Sequence, residues 1–109
     1  MTPEGKVKKA IYDILNTYDI MPASRAGAAL HATGWYYAAV QGPMSVRGVP
    51  DIIGHYRGRF FAIEAKAPGK EPSGFQRLQI DAIRASGGAV FVVGGAESLE
   101  AFEVWLNEC

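Results

Sequence analysis

Pro50-Asp51-Ile52-Ile53-Gly54-His55-Tyr56-Arg57-Gly58-Arg59-Phe60-Phe61-Ala62-Ile63-Glu64-Ala65-Lys66 is the stretch that decides the fold. Residues 50–56 and 59–66 are both rich in β-branched and aromatic residues, and only Arg57-Gly58 separates them. A two-residue connection ending in glycine predicts a tight antiparallel hairpin. With Tyr56 paired to Arg59 across the turn, counting outward sets Asp51 opposite Glu64.

That register has chemical content. Side chains alternate faces along a strand, so Phe60, Ala62, Glu64 and Lys66 share one face while Phe61, Ile63 and Ala65 share the other. Directly opposed residues have Cβ atoms about 4.5–5.5 Å apart, and two carboxylates at that distance repel unless something neutralises them. A divalent cation does so, and hard oxygen ligands select Mg²⁺ or Mn²⁺. A metal held by Asp51 and Glu64 lowers the pKa of bound water and polarises a phosphate oxygen. Lys66 carries an ammonium to the same place, suited to a developing negative charge.

Outward from the hairpin, residues 4–18 predict an amphipathic helix. Val7, Ala10, Ile11, Ile14, Leu15 and Tyr18 make its apolar stripe, Thr2 its N-cap, and Pro3 its first residue. Glu4 continues the inward side at its N-terminal end. Residues 19–33 have weak periodicity and read as loop with a short helical turn. Residues 35–40 read as a strand and 42–48 as a loop. After Pro68-Gly69, a helix runs from Ser73 to about Ala85. Ala89-Val90-Phe91-Val92-Val93 has the continuous apolar character of a strand buried on both faces, and residues 97–107 predict a last helix. The order is helix, three strands, helix, strand, helix: a single α/β domain over residues 1–109, with a mixed sheet flanked by helices.

The bulk properties agree with one globular domain. The chain has 109 residues, 49% of them hydrophobic, too many for a disordered chain. No apolar run nears the ~20 residues that cross a bilayer. One cysteine, Cys109, excludes an internal disulfide and a cysteine metal cluster. The N-terminus has no secretory signal pattern, so a cytoplasmic protein is expected. Net charge is zero but unevenly spread. All eleven Lys and Arg lie in residues 1–84 with seven acids, leaving that part at +4, whereas residues 85–109 hold four Glu and no base. A polyanion would meet the first three-quarters of the chain.

Pro50-Asp51 followed by Glu64-Ala65-Lys66 resembles the PD-(D/E)XK nuclease motif. The wider frame is Gly48-Val49-Pro50-Asp51-Ile52-Ile53, then Phe61 to Gly69, then Ser73-Gly74-Phe75-Gln76. It is similar to the VRR-NUC branch over roughly residues 4–95. The resemblance implies a restriction-endonuclease-like αβββαβ core and a metal-dependent DNA endonuclease, with some members acting on branched DNA such as four-way junctions. It implies Asp51, Glu64 and the main-chain carbonyl of Ala65 as metal ligands, Lys66 as the catalytic lysine, and Gln76 as a catalytic-end glutamine. Glu4 matches the acid many members carry on the first helix, a further candidate ligand. Stand-alone members of this size, often from phages or other mobile elements, are expected to pair as homodimers.

Each residue also has a plainer use. Asp51 is a common kind of strand-start residue, and Glu64 with Lys66 would make a surface ion pair on a solvated strand end. Ser73-x-x-Gln76 is also a capping box, and an acid at Glu4 suits a helix macrodipole. Arg25, Arg47, Lys70 and Arg77 lie in or beside loops flanking the site and are candidates for phosphate contacts, with surface charge as the default. Trp35, Tyr36 and Tyr37 could stack bases, but core packing is the plainer use. His55 and His31 carry no clear role. Two rival functions remain: a catalytically inactive nuclease-fold module that binds DNA or protein, and a hydrolase of small nucleotides.

Overall fold

A computed structural model describes all residues, Met1–Cys109. The Arg57-Gly58 turn places both residues at positive φ, 50° and 81°, the twist that a two-residue hairpin needs. From it run β3 (Ile52–Tyr56) and β4 (Arg59–Ala65), paired antiparallel with Tyr56 opposite Arg59 and Ile52 opposite Ile63. This is the expected register, and one step further Asp51 faces Glu64.

Strand β2 (Gly34–Ala38) lies antiparallel against the other side of β3. Two further strands close the sheet by parallel pairing: β5 (Ala89–Val93) beside β4, and β1 (Ile20–Pro22) beside β2. The five-stranded mixed sheet has the order β1-β2-β3-β4-β5. Strand β1 departs from the expected loop over 19–33. That segment holds three strand residues, a 3-10 turn at Ala23–Arg25 and the four-residue helix α2 (Ala26–Ala29). Three residues are too few to show a period. What fixes β1 is tertiary: Ile20 is 1% exposed in the core and pairs with Gly34.

Helices cover both faces. Helix α1 (Pro3–Thr17) begins as expected, with the Thr2 hydroxyl accepting from the Gly5 N–H at 3.0 Å. Its Val7, Ile11 and Leu15 pack with Phe102 and Leu106 of α4 (Ala96–Asn107) on Ile52, Phe61, Ile63 and Val93. Helix α3 (Gly74–Ala85) covers the opposite face, where Ile80 meets Ala62 and Val90. The mixed sheet flanked by helices therefore holds, and so does the αβββαβ order with β1 and α2 inserted between α1 and β2. Strand β5 differs from the reading as fully buried. Helices lie on both its faces, but it is the sheet edge, and only Val90 and Val93 are buried. No helix is long and apolar enough to cross a membrane.

Candidate metal centre

Glu64 sits on the α3 side of β4, next to Val92 of β5 in register, and is 2% exposed. It is the buried charged residue of the fold. A buried carboxylate needs partners. Its Oε1 has one, the Gln76 amide nitrogen, which donates at 3.2 Å. Its Oε2 has none. Burial first, then the Asp51 carboxylate beside it, pushes Glu64 up to about 8. The Lys66 ammonium pulls the other way, and Glu4 adds a smaller upward push.

Asp51, just before β3, is held by a main-chain donor: the Ala65 N–H donates to its Oδ2 at 2.8 Å. The bond also orients Ala65. Successive main-chain groups alternate sides along a strand, and the next N–H, from Lys66, turns to β5 and donates to the Val93 carbonyl at 2.9 Å. The Ala65 carbonyl thus lies on the Asp51 side with its own N–H. Its opposite number there is Pro50, which has no N–H to offer. Two carboxylates thus stand side by side, one with an oxygen buried without a partner, and the Ala65 carbonyl opens on the Asp51 side of β4. An all-oxygen set with net negative charge fits a hard divalent cation. No third His, Cys, Asp or Glu side chain joins Asp51 and Glu64.

Gln76 serves both of the uses its sequence suggested. The Ser73 hydroxyl accepts from the Gln76 N–H at 3.2 Å, and the Gln76 side-chain oxygen accepts from the Ser73 N–H at 2.8 Å, a complete capping box. The other end of the same amide donates to Glu64. Lys66 follows Glu64 by two residues, is half-buried, and forms no ion pair within the protein. Glu4 pairs instead with Lys8 at 3.4 Å on α1; its charge reaches Glu64, but it makes no contact there.

Of the four candidate phosphate contacts, only Arg47 lines the cleft of about 270 Å³ that Asp51 and Gln76 share with Gln41, Ser73 and Phe75. Its guanidinium lies 5.0 Å from the Phe75 ring centroid. Arg77 pairs with Glu71 at 3.6 Å, Lys70 lies exposed in the loop after β4, and Arg25 is beyond β2. His55 stacks on Trp35 at 6.3 Å, on β3 away from the carboxylates.

The sequence placed Gly48 at the end of the 42–48 loop and in the motif frame, but gave no sign of its contact with α3. Gly48 has φ +82°, and a Cβ there would lie 2.2 Å from the Phe75 carbonyl oxygen. The 39–51 loop therefore presses its backbone on the start of α3, which fixes the cleft between Arg47 and Gln76. The signal available was a lone glycine between Arg47 and Val49, two residues before Pro50.

No protein-family model matches the chain, and no curated protein is similar enough to count as a relative.

Proposed function

We propose that this protein is a metal-dependent deoxyribonuclease of the VRR-NUC type that hydrolyses phosphodiester bonds. The observation that carries the reading is the opposed pair Asp51 and Glu64: a buried carboxylate with one orphan oxygen, facing a second carboxylate, with an unpaired lysine two residues along. Burying Glu64 beside the half-buried Asp51 costs stability unless a proton or a cation neutralises the pair.

Asp51, Glu64 and the Ala65 carbonyl would hold Mg²⁺ or Mn²⁺. When bound, the metal supplies Lewis-acid polarisation of phosphate and an acidified water. The chain's own residues do the rest. Gln76 holds one oxygen of the Glu64 carboxylate and leaves the other free, so that it would be available to the metal. The Lys66 ammonium, free of internal partners, is available to the attacking water or the scissile phosphate. Arg47 stands at the cleft wall, where it can bind a neighbouring phosphate.

Branched DNA and a homodimer belong to the same proposal. One small domain offers little surface to a bent or branched duplex, and a two-fold pair sets two sites against two strands. Leu78 on α3, 65% exposed, is apolar surface available to a second copy.

The test is cleavage of linear and four-way-junction DNA with Mg²⁺ or Mn²⁺ by the wild type, Asp51→Asn, Glu64→Gln and Lys66→Ala. Each variant should lose activity by on the order of 100-fold or more. Undiminished cleavage in the variants, or none in the wild type, refutes the reading. Light scattering that finds only monomer removes the dimer.

A further inference from the structure

Gly42-Pro43-Met44-Ser45 is a β-turn in the loop that walls the carboxylate cleft. The Ser45 N–H donates to the Gly42 carbonyl at 3.0 Å. The Ser45 hydroxyl donates to the same oxygen at 2.7 Å and accepts from the Gly42 N–H at 2.9 Å. We propose that the apex of this turn, Pro43-Met44, is a wedge that enters the base stack of DNA lying across Asp51 and Glu64. The inference rests on the nuclease reading and adds its substrate: DNA whose stacking is already interrupted beside the scissile phosphate, as at a branch point.

Three observations support it. The first is the chemistry of the apex. Turn residues are mostly Gly, Asn, Asp, Ser and Pro. Here proline takes the second position, which its fixed φ suits, and the third holds a methionine that is 97% exposed. Val40 and Val46 on the arms of the loop are exposed as well. The fold itself makes little use of this apolar surface. Met and Pro are among the side chains that proteins push between base steps to unstack and kink a duplex.

The second is stiffness. The Ala39 N–H donates to the Asp51 carbonyl at 2.7 Å, and the Gln41 amide to the Val49 carbonyl at 3.3 Å. The Gln79 amide of α3 donates to the Arg47 carbonyl at 3.4 Å, and Gly48 lies against the Phe75 backbone. Both arms are thus fastened, and the turn between them is closed by its own bonds. A wedge needs this, because ordering a loose loop on binding would cost affinity.

The third is place and charge. Gln41 and Arg47, at the two feet of the turn, both line the cleft that holds Asp51 and Gln76. Arg47 is the one charged residue between Ala39 and Pro50. An apolar tip above a single guanidinium suits a polyanion with an apolar interior, phosphates outside and stacked bases within. Opening the stack costs least where a base is mismatched or already unpaired, and that turns a wedge into a selector of interrupted DNA.

The experiment uses the full chain in EDTA, so that binding is read without cleavage. One probe is a four-way junction with 2-aminopurine, a base that brightens when unstacked, at the branch point; the other is a continuous duplex carrying the same base. Wild type should brighten the junction probe. Met44→Ala should not, and its junction affinity should fall about ten-fold, the loss for one apolar side chain of this size deprived of burial. Met44→Leu, which keeps an apolar wedge, should match wild type. Brightening by Met44→Ala equal to wild type overturns the proposal. So does an equal loss of affinity for junction and duplex, which would mean an undirected contact. So does a change from dimer to monomer in light scattering of Met44→Ala, which would give the apex to a second copy. If the wild type cuts DNA in Mn²⁺ yet never brightens the junction, the wedge fails and the nuclease reading stands. If it neither binds nor cuts DNA, both fail.

Discussion

The Gln76 amide bridges Ser73 and Glu64, accepting from the Ser73 N–H at 2.8 Å with its oxygen and donating to Glu64 Oε1 at 3.2 Å with its nitrogen. One side chain thereby caps a helix and orients a buried carboxylate, so the start of α3 and the site cannot move independently. Gln76→Ala keeps the Ser73 hydroxyl cap and loses the reciprocal bond to the Ser73 N–H, about 0.5–1.5 kcal/mol, with a further ~1–3 kcal/mol for the buried oxygen left without a donor. Urea unfolding in EDTA measures the sum. A loss below that of the reciprocal bond alone would show that the Glu64 contact contributes nothing.

Without metal, stability should fall as pH rises. Glu64 sits at about 8 in the fold against an ordinary 4.5, so between those values the folded chain holds a proton that the unfolded chain has released. The stabilising contribution is complete below about 4.5 and is lost as pH climbs to about 8. Thermal melts in EDTA should show Tm declining across this window by at least ~4 °C, the shift that 1 kcal/mol gives a domain of this size. In Glu64→Gln the decline should vanish. A slope identical in the two proteins would remove Glu64 as its source.

Added Mn²⁺ should reverse that decline. A ligand that binds only the folded state at 100 times its Kd stabilises by about 2.7 kcal/mol, and deprotonation of Glu64 makes the effect larger at pH 8 than at pH 5. Calorimetric titration should find a site that Asp51→Asn abolishes. A Tm unmoved by Mn²⁺ at pH 8 would contradict the metal centre.

Two glycines with nearly the same φ should respond very differently to alanine. At Gly58 (φ +81°) a Cβ meets nothing within 4 Å, so Gly58→Ala should cost only backbone strain, about 1 kcal/mol. At Gly48 (φ +82°) the Cβ would meet Phe75 and Gln76 backbone at 2.2–2.7 Å. Gly48→Ala should cost several-fold more and disturb the cleft as well as the fold. Equal midpoints in urea would argue against the close approach of that loop to α3.

What the sequence made legible is what short-range pattern controls. The Arg57-Gly58 turn sets the register, the register sets Asp51 against Glu64, and i, i+3, i+4 spacing places Val7, Ile11 and Leu15 on the core. Three features were not legible because they depend on contacts between distant segments. Strand β1 exists because Ile20 finds the core and Gly34. Strand β5 is an edge because nothing follows it in the sheet, although its composition reads as central. The dual service of Gln76 joins a helix start to a strand twelve residues earlier in the chain, and spacing alone offered its two uses as alternatives. Glu4 shows the reverse: a position expected on the inward side, where a neighbouring Lys8 claims the carboxylate.

The two-residue turn at Arg57-Gly58 governs more than the shape of the hairpin. Both acids are addressed by counting from it, and one added or lost residue there would slide β3 past β4 and send the acidic partners to opposite surfaces. Such an indel would leave every element of the domain encoded and both acids still in the chain, yet it would part the carboxylate pair. The length of that connection therefore matters to the alignment of the two carboxylates as much as the identity of the acids themselves.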